Sequence, residues 1–190
     1  AGDACAVAEA LDLRNIVLVG NSLGGPVALE AAARLRGRAI GVVGVDTLQA
    51  VGAAFPPEEA RSRASAYRTD FRKTCTEMCQ ALFHPGAHPD LQAWALPIML
   101  AMDQEVVARI MEGLSGYDLG AAVRAAGVPI RAINGDLWPT DIAGNRTLSP
   151  GFDAVILENT GHYPMLERPA EFNRILAALV HELAAGRGLR

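Results

Sequence analysis

Two periodicities alternate along this chain: short unbroken apolar runs, and longer segments in which apolar residues recur every three or four positions. Asp3 to Leu11 is alanine-rich, with Val7 and Leu11 one turn apart, and predicts a helix. Ile16-Val17-Leu18-Val19 then runs into Gly20, which is how a strand buried on both faces reads. After Pro26 the residues Val27, Ala31 and Leu35 mark a second helix, with Glu30 and Arg34 paired on its outer side and Gly37 as its stop. Ala39 to Val45 is a second buried strand. From Leu48 the strand signal disappears. Glu58-Glu59 after Pro56-Pro57 suits a helix start. Phe71, Cys75, Met78, Cys79 and Leu82 then share one helical face. Leu91, Trp94, Ala95 and Ile98 predict a short helix broken at Pro97. Val106, Val107, Ile110, Met111 and Leu114 predict another helix, capped by Asp103 and stopped by Gly116. Asp118 caps one more, ended by Gly127. Strands resume at Val128–Asn134 and Phe152–Leu157, with a helix starting between Pro139 and Arg146. Phe172, Ile175, Leu176, Leu179, Val180 and Leu183 form the clearest helical stripe, opened by Pro169 and closed by Gly186.

Alternation of strands with helices predicts an α/β fold, a mostly parallel sheet with helices on both faces. The core is expected over 1–47 and 127–190. The helical stretch 48–126 is far longer than an ordinary connection, and is expected to be an inserted lid over a site.

Composition adds bounds. The 190 residues are 51% hydrophobic and 20% charged, with a net charge of −4. Nothing in this balance points to nucleic acid or an anionic membrane surface as a partner. Three cysteines exclude a complete disulfide framework, and reduced thiols fit a cytoplasmic protein. Cys75, Cys79, His84 and His88 could in principle bind zinc. The linking segment is short, however, and both cysteines fit the apolar stripe, so packing is the preferred reading and no metal is expected.

Gly20, Ser22 and Gly24 give the spacing Gly-x-Ser-x-Gly. Between a buried strand and a helix, that spacing describes a sharp turn holding the serine in a strained conformation, with small residues two before and two after it. The helix N-terminus then directs N–H groups at any anion formed beside Ser22. Asp136 and His162 also follow predicted strands, at the C-terminal strand ends where chemistry collects in such a sheet. Ser22 needs a base to become nucleophilic, His162 is suited to be that base, and a carboxylate would fix its tautomer. In the order Ser22, Asp136, His162, the three are expected to form a catalytic triad.

On these residues the chain resembles the α/β-hydrolases of the serine class over essentially its whole length. Gly20-Asn21-Ser22-Leu23-Gly24-Gly25 is similar to that family's nucleophile elbow, and Gly161-His162-Tyr163-Pro164-Met165-Leu166-Glu167-Arg168-Pro169 to its histidine loop. The resemblance implies that the Leu23 N–H is one donor of the oxyanion hole and that the inserted helices are the family's cap. It places the acid a few residues beyond the glycine ending its strand. Asp136 is preferred there, Asp141 is the alternative, and Asp46 is a weaker third choice, because family members often carry an acidic residue at that point without catalytic use. Asn21, Trp138 and Tyr163 are expected to border the substrate pocket. The second oxyanion donor usually follows a His-Gly marker, but here the four histidines precede Pro85, Pro89, Tyr163 and Glu182. The family's first strands are also missing. The chain is therefore expected to be the C-terminal part of a longer hydrolase, with an exposed apolar strand edge and little activity in isolation.

The implied activity is cleavage of a carboxylic ester or related acyl bond in an apolar small molecule, through an acyl-serine intermediate and without a cofactor. The alternatives are carbon–carbon bond hydrolysis on the same fold, with which Asn21 is compatible, and a non-catalytic or inactive fragment.

Overall fold

The computed structural model describes residues 1–186. In chain order its elements are α1 (Gly2–Ala10), β1 (Ile16–Asn21), α2 (Gly24–Arg34), β2 (Ala39–Val45), α3 (Pro57–Thr69), α4 (Phe71–Leu82), α5 (Pro89–Leu100), α6 (Gln104–Gly113), α7 (Leu119–Ala126), β3 (Ile130–Gly135), α8 (Ile142–Leu148), β4 (Asp153–Leu157), α9 (Pro164–Glu167) and α10 (Pro169–Ala185). The chain divides into two compact units. Of the described residues, one unit holds 1–52 and 119–186; the other is Ala53–Asp118.

The first unit is built on a four-stranded sheet in the order β1-β2-β3-β4, with every pair parallel. Alternate residues of a strand face opposite sides. Val43 and Val45 of β2, with Ile133 of β3 and Leu157 of β4, pack against Phe172, Ile175, Leu179 and Leu183 of α10. The i, i+3, i+4 stripe legible in the sequence is thus the core face of α10. Gly41 lies under this helix, where a Cβ would come within 2.7 Å of Leu183. α2 packs on β1, β2 and α7, covering the sheet's other face with Ala28, Leu29, Ala31 and Ala32. β2 is buried along its whole length.

β1 reads as buried on both faces, but it stands at the edge of the described sheet with Val19 47% exposed, so of the two expectations for this strand the exposed apolar edge is the one observed. α1 forms where a helix was expected and turns Cys5 and Ala8 inward, leaving Val7 and Leu11 exposed. Helix 119–126, expected in the insertion, packs instead on α2 through Gly120, Ala122, Val123 and Ala126, so the second unit is shorter than 48–126.

In the second unit, Ala64 and Tyr67 of α3 meet Cys75 of α4 and Val107 and Ala108 of α6, with Phe71, Met99, Leu100 and Met111 around them. Asp70 and Asp103 cap α4 and α6, accepting from the N–H groups of Lys73 and Val106. α5 is not broken at Pro97 but runs on to Leu100. Gly116 ends a single 3-10 turn after α6, which itself closes at Gly113. Cys75 and Cys79 are fully buried in helix packing, which pushes both thiols up from their ordinary pKa. His84 and His88 accept local N–H groups from Gly86 and Asp90. Among the described residues, no helix is long and apolar enough to cross a membrane.

Candidate active site

The elbow forms where β1 meets α2. Ser22 has φ +52°, the left-handed region that a non-glycine residue adopts only under constraint. Its N–H donates to Val45 O at 3.0 Å, and its carbonyl accepts from Gly25 N–H at 2.9 Å. A Cβ on Gly20 would sit 2.0 Å from Gly24 O, so Gly20 is sterically required. Gly24, in contrast, faces open space. The second position closed to a side chain is Gly25, where a Cβ would lie 2.5 Å from Thr47 Cγ2. The expectation that the Gly-x-Ser-x-Gly spacing needs both of its glycines for room is corrected on this point. Leu23 leads into α2, whose first N–H groups have no intrahelical carbonyl.

Asp46 follows β2 directly and also takes a left-handed conformation, φ +42°. Its side chain is buried. Oδ1 accepts from Gly135 N–H at 2.9 Å, and Oδ2 lies 2.6 Å from His162 Nδ1. An ionised carboxylate can only accept, so this contact puts the imidazole proton on Nδ1 and leaves Nε2 as the basic nitrogen. The backbone of Asp46 is held by its N–H donating to Ile133 O. Next to it, Thr47 N–H donates to the buried Asn134 Oδ1, while Asn134 Nδ2 donates to Thr140 Oγ1.

The acid beside His162 is therefore Asp46, and the preference for Asp136 is corrected. The carboxylate of Asp136 turns toward the start of the histidine loop. There it accepts from Asn159 N–H at 2.8 Å and Thr160 N–H at 3.0 Å. Gly135 explains this register: a Cβ there would lie 2.1 Å from Thr160 O, so β3 and the loop pack with no room between them. Asp141, the alternative, is the N-cap of α8 and accepts from Gly144 N–H. All three acids sit at the ends of strands or starts of helices, so spacing along the chain does not separate them. The signal available was the direct succession of Asp46 to a wholly apolar strand.

The histidine loop is held on both sides of its imidazole. Glu167 accepts from Gly161 N–H at 3.0 Å and Tyr163 N–H at 3.4 Å. Asn21 Nδ2 donates to His162 O at 3.0 Å and to Val45 O at 2.9 Å. Both amide hydrogens of Asn21 are thus engaged within the protein. Trp138 and Tyr163 make edge-on ring contacts with His162, with centroids 5.8 and 5.2 Å away. Trp138 remains 39% exposed beside the imidazole. Among the described residues, no hydrogen bond joins Ser22 Oγ to the His162 ring, and no cluster of His, Cys, Asp or Glu could hold a metal ion.

Comparison with known proteins agrees with this architecture. The model of a family described as the alpha/beta hydrolase family matches residues 1–175. An AB hydrolase superfamily protein, YisY, of Bacillus subtilis is 26% identical over 196 residues, covering 93% of this chain and 70% of its own. The esterase EaEST of Exiguobacterium antarcticum superposes with a TM-score of 0.82 at 17% identity, over 94% of this chain and 71% of its own. The enol-lactonase of Burkholderia xenovorans LB400 gives 0.74 at 22%, over 95% and 71%. At these identities the likeness to the solved structures is one of fold.

Proposed function

The chain belongs to the alpha/beta hydrolase family, and from that footing we propose that it is a serine hydrolase of carboxylic esters, open-chain or cyclic, working through Ser22, His162 and Asp46. His162 Nε2 removes the hydroxyl proton as Ser22 Oγ attacks the ester carbonyl. The carbonyl π electrons move onto oxygen, and the Leu23 N–H at the start of α2 donates to that oxyanion. The intermediate collapses by breaking the bond to the alkoxy group, which takes the proton from His162 and leaves an acyl-Ser22. Water then attacks the acyl carbon, giving its proton to His162. Collapse returns that proton to Ser22 Oγ and releases the acid. Asp46 holds the Nδ1–H tautomer and stabilises the imidazolium formed in each half. No metal or organic cofactor enters this chemistry.

The observation that carries the reading is the 2.6 Å pairing of His162 Nδ1 with a buried Asp46, beside a serine held at φ +52°. The absent Ser22–His162 bond is compatible with it, since catalytic hydrogen bonds are often loose until substrate arrives. An esterase and a lactonase among the fold neighbours support esters as the substrate class. Carbon–carbon cleavage draws no support from Asn21, whose amide is engaged internally.

A fluorophosphonate probe tests the reading. It is expected to label the protein at Ser22, and Ser22→Ala is expected to abolish labelling and hydrolysis of p-nitrophenyl esters together. Labelling that persists at another serine in the alanine variant refutes the assignment.

A further inference from the structure

We propose that Asn21 is the positioning residue that holds the Ser22, Asp46 and His162 backbones in one hydrogen-bonded unit; this rests on the triad reading above. Asn21 precedes Ser22 and lies at the last position of β1. Its Nδ2 spends one hydrogen on Val45 O, at 2.9 Å, and the other on His162 O, at 3.0 Å. Val45 O also accepts the Ser22 N–H, so both lone pairs of this carbonyl are used by adjacent residues of the elbow. Val45 in turn immediately precedes Asp46. One amide nitrogen therefore bridges the peptide units carrying the nucleophile, the base and the acid.

No other side chain described in the loop does this. Asp136 grips the N–H groups of Asn159 and Thr160, and Glu167 those of Gly161 and Tyr163. Those contacts fix the loop to β3 and to α9. Among the described residues, the carbonyl of His162 itself is tied only through Asn21 to the strand that leads into Ser22. Two donors on one atom are needed here, since both partners are carbonyl oxygens. An aspartate of the same shape would set a carboxylate against two acceptors, and an alanine would leave both without this donor. The Ser22–His162 pair is joined by no direct hydrogen bond in this state, so its separation depends on such ties. Misplacement of a reacting group by about 1 Å can cost on the order of 10²-fold in rate.

The test uses Asn21→Ala and Asn21→Ser, the second keeping one donor. Two readouts are followed: the rate of fluorophosphonate labelling at Ser22, and the downfield proton resonance of His162 Nδ1–H, assigned by its loss in His162→Gln. Asn21→Ala is expected to slow labelling by about 10- to 100-fold and to shift or broaden the resonance, with thermal unfolding still cooperative. Asn21→Ser is expected to fall between it and the unmodified protein. Labelling and resonance both unchanged in Asn21→Ala overturn the proposal. So does slowed labelling with an unchanged resonance, which would place the effect on Ser22 or the probe. Loss of cooperative folding in both variants overturns it too, making the role structural. If the unmodified protein is not labelled but its resonance moves in both variants, the positioning role stands and the hydrolase reading fails.

Discussion

Asp46→Asn separates the two acids more sharply than any other single change. Asparagine tolerates the left-handed backbone that Asp46 adopts, φ +42°, so the substitution adds little strain. The buried side chain keeps its shape and can still accept from Gly135 N–H through its amide oxygen. That choice turns the amide nitrogen toward His162 Nδ1, where Oδ2 stood at 2.6 Å. An N–H donor there forces Nδ1 to accept, which moves the ring proton to Nε2, the atom that must take the Ser22 proton. A wrong-tautomer triad loses about 10⁴ in kcat, equivalent to about 5 kcal/mol of transition-state stabilisation. Asp136→Asn acts differently. It replaces a carboxylate accepting two loop N–H groups with an amide accepting one, a loss of about 1–3 kcal/mol of loop stability. It is expected to lower the unfolding midpoint while leaving kcat within about 10-fold, because the Asp46–His162 contact persists. The assay is steady-state hydrolysis of a p-nitrophenyl ester alongside thermal unfolding of each variant. A crippled Asp136→Asn beside a nearly normal Asp46→Asn refutes the assignment of Asp46.

Three further outcomes are expected. Gly20→Ala drives a methyl into Gly24 O and is expected to cost more than about 3 kcal/mol with loss of Ser22 labelling. Gly24→Ala, facing open space in the first turn of α2, is expected to be neutral or stabilising by about 0.4–1 kcal/mol; thermal melts showing equal damage from both would contradict the packing argument. In the second unit, hydrogen bonds from Arg68 and then Arg109 hold the Glu105 carboxyl down at about 2, below its ordinary 4.5, and Arg68 also lowers Glu112. A lowered folded-state pKa stabilises above the ordinary value and is lost as pH falls through the folded one, so this contribution fades between pH 4.5 and about 2. These groups are exposed, so the effect is small and salt-sensitive. Arg68→Ala is expected to flatten the pH dependence of the melting temperature across that window, and parallel profiles for the two proteins would refute the coupling.

The elements most legible in the sequence are those whose periodicity coincides with their packing. β2 reads as an apolar run and is buried throughout; the stripe of α10 is the face that covers β2, β3 and β4. The elbow was legible because a strand, a glycine, a serine and a helix must follow one another directly, so local sterics dictate the turn. His162 stood out for the same reason, on a loop bounded by Gly161 and by Pro164 at the start of α9. Partnership across strands was not legible. Asp46, Asp136 and Asp141 are all small acids next to turns, and each satisfies N–H groups or a ring nitrogen within its own neighbourhood. Which of them meets His162 depends on the strand order and on how tightly β3 meets the histidine loop at Gly135. The same holds for Asn21, a polar residue whose two carbonyl partners are 24 and 141 positions away in sequence. Local pattern determined where the turns and buried faces fall, because those follow from dihedral preference and hydrophobic period. The identity of each hydrogen-bond partner was decided only when parallel pairing brought the ends of β1, β2 and β3 together and set their buried acceptors against donors from distant parts of the chain.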